Sequence, residues 1–195
     1  FLTAQQDMDV EDPGFKDLYA YGVVAEVKQV LRVSDELVKV LVEGKYRAKL
    51  LTLDSSGRFL LASTKAAALR GTKSVDSARV EALVRSVKEA FEEYLSLNPR
   101  LSKDVVYTII TNEDAALLCD YIPANLLLKY TDKQALLNEG TVSGRLEKLL
   151  EILRRETTIL HIEKDIQSKV NEQMDKNQRD YYLREQMRAI SNELD

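Results

Sequence analysis

The sequence predicts an α+β protein with a small antiparallel β-rich subdomain, a helical bundle and one long projecting C-terminal helix. Three observations carry that reading. Apolar residues alternate with period two from Tyr21 to about Leu61 and recur with period 3.6 after Ser77. From Thr141 to Asp195 the chain contains no proline and a single glycine, Gly144. The expected divisions are residues 1–70, 77–140 and 141–195.

The start, Phe1 to Gln5, reads as a buried strand, and its lack of an initiator Met suggests a piece of a longer protein, truncated ahead of its first sheet. Further on, Val23, Ala25, Val27, Leu31 and Val33 fall on one side of a strand and Glu26, Lys28 and Arg32 on the other, the pattern of a half-buried strand. Ser34-Asp35-Glu36 makes a polar turn. Val38, Val40 and Val42 then alternate with Lys39, Leu41 and Glu43, which completes an antiparallel hairpin that Gly44 ends or bulges. A separate strand is expected from Ala48 to Leu53, a turn at Asp54 to Gly57, and a further apolar run from Phe59 to Ala62. The product is a small antiparallel sheet or barrel.

The aperiodic stretch between Leu69 and Ser77 marks the first boundary. Beyond it Val80, Leu83, Val84, Val87, Phe91, Tyr94 and Leu95 line one face of a helix that Asn98-Pro99 ends. Shorter helices follow: Ser102 to about Ile110, then Glu113 to Tyr121, stopped by Pro123. The next starts after Thr131, with Gln134 completing a capping box, and is closed by Gly140. In the last segment Leu146, Leu149, Leu153 and Leu160 form an apolar stripe that continues through Ile162, Ile166, Val170 and Met174. An unbroken helix there exceeds about 75 Å, so its far half must project from the body. Leu183, Met187, Ile190 and Leu194 restore a narrow stripe near the end, waiting for a partner.

Chemistry is scarce. No apolar run reaches the roughly 20 residues that span a bilayer, which argues against a membrane partner. The formal net charge of -4 gives no field that gathers nucleic acid. Cys119 is the single cysteine and pairs with nothing within the chain; with no signal peptide visible, a reducing cytoplasm fits. Gly140 to Gly144 is followed by Arg145 rather than the Lys-Ser/Thr of a phosphate loop, and one His with one Cys makes no metal site. His161 reads as a helix-surface or partly packed imidazole and Cys119 as a small buried hydrophobe, not as a catalytic base and a nucleophile. No catalytic, cofactor or metal residue is assigned.

What stands out is apolarity on polar sides. Leu41 lies with Lys39 and Glu43, while Val24 and Val30 lie with Glu26 and Lys28. With Val33 and Leu37 at the hairpin tip they are the candidate contacts for unfolded segments of other proteins. Tyr181 and Tyr182, together with Leu183, Met187, Ile190 and Leu194, are the candidate contacts between helices or subunits. Acidic residues interleave with Arg179, Arg184 and Arg188, which disfavours nucleic acid on the tyrosines.

The stretch Gln178-Arg179-Asp180-Tyr181-Tyr182-Leu183-Arg184-Glu185-Gln186-Met187-Arg188-Ala189-Ile190-Ser191-Asn192-Glu193-Leu194 resembles the segment that joins the N-terminal region of bacterial Lon-type ATP-dependent proteases to their AAA+ module. Also similar, in the same order, are Asp12-Pro13, Asp17-Leu18-Tyr19, Gly22 to Val27, Val42-Glu43-Gly44 with Arg47-Ala48, Asp132-Lys133-Gln134, and Arg145-Leu146 with Leu149-Leu150. The likeness covers essentially the whole chain and is weakest between about Leu51 and Ala78. It implies a PUA-like β-rich subdomain and a non-catalytic module that captures unfolded, damaged or degron-bearing proteins and supports a homo-oligomer, a hexamer in the parent. The nucleotide site with its ATP and Mg, and the Ser-Lys dyad of the endopeptidase, belong to later domains of such proteins. Two alternatives accompany this reading: a structural oligomerisation helix without client binding, and a PUA-like nucleic-acid module.

Overall fold

One long strand organises the β part. The computed structural model describes residues 1–34, 37–71 and 77–194, without the side chains of Ser77 and Leu194. In it β1 (Tyr21–Arg32), β2 (Val38–Asp54) and β3 (Leu61–Ala66) form an antiparallel sheet of order β1-β2-β3. The two strands expected around Gly44 and Ala48 are a single strand of 17 residues. Its first part pairs with β1 and its last part with β3, and only Ala48 and Lys49 have partners on both sides. The sheet is therefore two hairpins that overlap at their roots. Asp35 and Glu36 of the expected polar turn lie outside the described residues; beside them the Val33 and Ser34 amides both donate to the Leu37 carbonyl.

This sheet is not the barrel or half-buried layer that alternation suggests. Of its hydrophobic side chains only Ala48 and Leu50 are buried among the described residues, and from Glu26 onward β1 is exposed throughout. Phe1 to Gln5 is likewise no buried strand. Phe1 and Leu2 are exposed, and the segment touches β1 through one bridge in which Leu2 and Val23 exchange N–H···O bonds of 2.8 Å. Gly22 permits that approach, since a Cβ there would lie 2.1 Å from the Leu2 carbonyl oxygen.

The core is helical. Val84, Val87, Phe91 and Tyr94 of α1 (Ser77–Leu97) are buried as their spacing predicts, with Val80, Leu83 and Leu95 packed at the margin. They meet Leu146, Leu149, Ile152 and Leu153 of α5 (Val142–Leu194). Side-chain contacts between Arg79 and Glu147 (2.6 Å) and between Glu93 and His161 (3.8 Å) show the two helices running parallel. Around that pair, α2 (Lys103–Thr111), α3 (Ala115–Asn125) and α4 (Tyr130–Asn138) supply Ile109, Leu118, Ile122 and Leu136. The expected boundary after Leu69 runs into Thr72 to Asp76, outside the described residues.

Two predicted helix signals fail for local reasons. Pro123 does not stop α3, which continues to Asn125. A proline one turn from a C-terminus forfeits one amide donor while its ring packs in the core, where Pro123 is buried. Thr131 is no N-cap, because α4 begins at Tyr130 behind Lys129. Gln134 does not reach back to a cap; its amide donates to the Tyr21 carbonyl (2.8 Å) and to Asn138 Oδ1 (2.8 Å). The N-cap of α3 is Asp114, whose Oδ1 accepts from the Ala116 and Leu117 amides.

Gln134 belongs to the joint between sheet and helices. Its other half is Arg47 of β2, which donates through Nε to the Leu137 carbonyl (2.6 Å) and through Nη2 to the Asn138 carbonyl (2.9 Å). These carbonyls lie in the last turn of α4, where no intrahelical donor remains. Arg47 also lies 4.0 Å from the centroid of the Tyr21 ring, a cation–π contact that fixes its stem.

Candidate functional site

Two register shifts decide which side chains share a face of the β1–β2 hairpin. Lys28 lies between the Val27↔Val42 and Gln29↔Leu41 pairs, and Lys45 between Ala25↔Gly44 and Val24↔Tyr46, so each is the extra residue of a bulge. A bulge inverts alternation. Beyond Lys28 the opposed pair Val30↔Val40 shares a face with Val27↔Val42, and Val38 follows opposite Arg32. That face is aliphatic and uncovered: Val27, Val30, Val38, Val40 and Val42 are all exposed, Val30 at 60%.

The opposite face carries charge at its root. Lys28 contacts Glu26 (2.9 Å) and Glu43 (2.8 Å), and Lys45 contacts the same two carboxylates (2.8 and 2.9 Å). Lys45 and then Lys28 hold Glu26 below the usual carboxylate range, and Lys28 and then Lys45 do so for Glu43. Both lysines are raised in turn. The four groups cancel one another, so this root gives no net field.

The predicted contact residues are therefore divided. Val30 is not on the side of Glu26 and Lys28 but opposite Val40 on the aliphatic face. Leu41 does lie on the charged side, opposite Gln29, and is joined there by Leu31 opposite Lys39. Val24 pairs with Tyr46 near the root and is half-buried, whereas Val33 and Leu37 are exposed at the tip. Sequence alternation misses Val27, Val38, Val40 and Val42 as members of one surface with Val30. The signal was present in the all-valine row of β2, but nothing marks Lys28 as a bulge.

A second uncovered surface runs along α5. Its buried part ends at Thr157, and every described residue from His161 to Glu193 is exposed, a projection of about 50 Å. Tyr181, Tyr182, Leu183, Met187 and Ile190 lie on it, all exposed, with the Gln186 amide donating to the Tyr182 hydroxyl (3.0 Å). The side chain of Leu194 lies outside the described residues.

The titratable candidates sit apart from both surfaces. Cys119 is buried, its Sγ 3.8 Å from the Val142 carbonyl, and burial pushes its thiol up to about 12, far from a reactive thiolate. His161 is a surface residue beside Glu93. Among the described residues no group of His, Cys, Asp and Glu could hold a metal ion, and no helix is long and apolar enough to cross a membrane.

Comparison with known proteins adds the lineage. The family model for the ATP-dependent protease La (LON) substrate-binding domain matches residues 1–155. The Lon protease of Escherichia coli is 40% identical over 193 residues, covering 99% of this chain and 24% of that protein. That of Clostridioides difficile is 38% identical over 197 residues, 100% of this chain and 25% of that protein. Lon protease 1 of Myxococcus xanthus is 40% identical over 193 residues. The chain thus spans about a quarter of the length of these relatives. The solved N-terminal domain of Mycobacterium avium complex Lon protease shares the fold, with a TM-score of 0.58 at 22% identity over 74% of this chain and 73% of that one.

Proposed function

The chain belongs to the substrate-binding domain family of the ATP-dependent protease La (Lon), and from that premise we propose that it receives protein clients on the β1–β2 hairpin. The observation that carries the proposal is the aliphatic face of Val27, Val30, Val38, Val40 and Val42, exposed on an arm that extends beyond the helical body. Unfolded proteins differ from folded ones in presenting apolar side chains in extended segments, and an exposed β face of five valines, with Arg32 at its distal end, suits both features. Clients dock, and a parent ATP-dependent endopeptidase in the cytoplasm supplies the nucleotide and peptide-bond chemistry from its other domains.

The test is binding of a labelled, permanently unfolded protein to the chain and its variants. Paired Val30→Asp and Val40→Asp substitutions are expected to weaken capture roughly tenfold or more. Leu41→Asp, on the charged side, is expected to cost less. Unchanged capture by the folded double variant defeats the reading.

The exposed stripe of α5 supports a second role, assembly of the parent into a homo-oligomer through Leu183, Met187 and Ile190, with Tyr181 and Tyr182 exposed on other sides of the helix. Sedimentation across a dilution series, with and without residues 171–195, tests it. Identical behaviour of the two chains removes the helix from assembly. DNA or RNA binding that weakens steeply with salt would instead favour a nucleic-acid role.

A further inference from the structure

A cavity of about 300 Å³ lies where the sheet meets the helices, away from the aliphatic face. Tyr46 and Arg47 of β2 wall one side, Ala67 and Leu69 after β3 another, and Asp120 of α3 with Arg145 of α5 the third. Beside it, sharing Leu69 and Asp120, lies a shallower groove of about 600 Å³ along α3, bounded by Ala116, Leu117, Tyr121 and Ala124.

The cavity is apolar except for an excess of buried cation. The Arg145 side chain is 3% exposed and uses two donors, Nη1 on Asp120 Oδ1 (2.6 Å) and Nε on the Glu139 carbonyl (3.1 Å). A guanidinium has five N–H donors, so three take no acceptor among the described residues. Arg47 stands close enough that, after burial, Arg145 is the next cause lowering its pKa. Against these two cations the lining holds one carboxylate, Asp120, whose side chain is 72% exposed; the Glu139 carboxylate also acts on Arg47 but is not part of the lining. A desolvated cation with spare donors favours an anion that can reach it.

We propose that this cavity receives the carboxyl terminus of a client protein. The α-carboxylate sits on Arg145 in place of Asp120, the last side chain lies among Tyr46, Ala67 and Leu69, and the preceding residues follow the groove on α3. A chain terminus is where a carboxylate and an apolar side chain leave the same carbon, and the cavity offers a place for each. Asp114 and Asp120 at the groove disfavour acidic residues just before that terminus. The proposal rests on the client-binding reading above but uses a different surface.

The probe is a short fluorescent peptide ending in Lys-Ala-Leu, prepared with a free carboxylate and as the carboxamide, titrated against the full chain by anisotropy. The free acid is expected to bind about tenfold more tightly than the amide. Asp120→Asn, which removes the resident competitor from an exposed position, is expected to strengthen binding of the acid severalfold and leave the amide unchanged. Ala67→Trp, with its fold checked by circular dichroism, is expected to abolish acid binding by filling the cavity. Equal affinity for acid and amide, an Asp120→Asn effect common to both, or displacement of the peptide by inorganic phosphate at lower concentration than by acetate overturns the proposal. If the unfolded client still binds the hairpin while acid and amide are indistinguishable, this inference fails alone. If the acid preference holds while the hairpin variants capture clients normally, the hairpin reading fails alone.

Discussion

The helical body and the β arm are built from similarly apolar sequence and use it in opposite ways. In the body, Phe91, Ile109, Leu118, Ile122, Leu146, Leu149 and Leu153 are fully enclosed. In the arm, Val27, Val30, Leu31, Val40 and Leu41 face outward from both sides of a two-stranded ribbon. Burial of apolar area stabilises the first. Ladder hydrogen bonds and the Arg47–Gln134 joint hold the second, so its hydrophobes are free to meet other molecules. With client binding on the hairpin as proposed, stability and recognition fall to separate parts of the chain.

The widest separation between the two parts should come from truncating the core. Phe91→Ala is expected to cost about 3–5 kcal/mol, the range for large-to-small aromatic changes in a packed interior, read as a shifted urea midpoint. Val30→Ala, exposed, is expected to leave that midpoint within about 0.5 kcal/mol. Comparable losses at both sites would break the contrast.

Arg47→Ala comes next. It removes charge-assisted donors from the Leu137 and Asn138 carbonyls, each worth about 1.5–3 kcal/mol. Faster amide exchange across β1 and β2, with exchange in α1 and α5 unchanged, would place the loss in the joint. Arg47→Lys keeps the charge but cannot span two carbonyls in the same geometry, and is expected to fall between the two. Gly22→Val, which forces a side chain into the Leu2 carbonyl, is expected to cost about 1–3 kcal/mol and to release Phe1 to Gln5 to rapid proteolysis.

The smallest effect is electrostatic. Glu26 and Glu43 have folded pKa values depressed by Lys45 and Lys28. Their contribution is therefore complete above the ordinary carboxylate range and lost as pH falls through the depressed values. The lysines are raised by the same contacts, so theirs is complete below the ordinary lysine value and lost as pH climbs through the raised one. Exchange protection of β1 should be level between these limits and decline at both, more so in low salt. A change near pH 7 would point to a group outside this network.

These contrasts explain which parts of the fold were legible in the sequence. A 3.6-residue period survives packing, so Val87, Phe91, Leu146 and Leu153 were readable as core from spacing alone. Period two breaks at a single extra residue. Lys28 and Lys45 read as ordinary polar positions; only the pairing of β1 with β2 makes them bulges, and the one at Lys28 moves Val30 to one face and Leu31 to the other. Gln134 misleads for a different reason: the same side chain that suits a capping box reaches a carbonyl 113 residues away. The cavity at Arg145 was invisible because its walls come from β2, α3, α5 and the chain after β3, which no local pattern brings together.

Helix α5 runs 53 residues without a break, anchored along α1 over its first turns and free thereafter. Mechanically it is a lever with its fulcrum inside the core. Over about 50 Å of free length, each degree of tilt at Leu149 or Leu153 moves the tip by about 1 Å. A small repacking of the body would therefore register at the far end as a displacement comparable to a bond length.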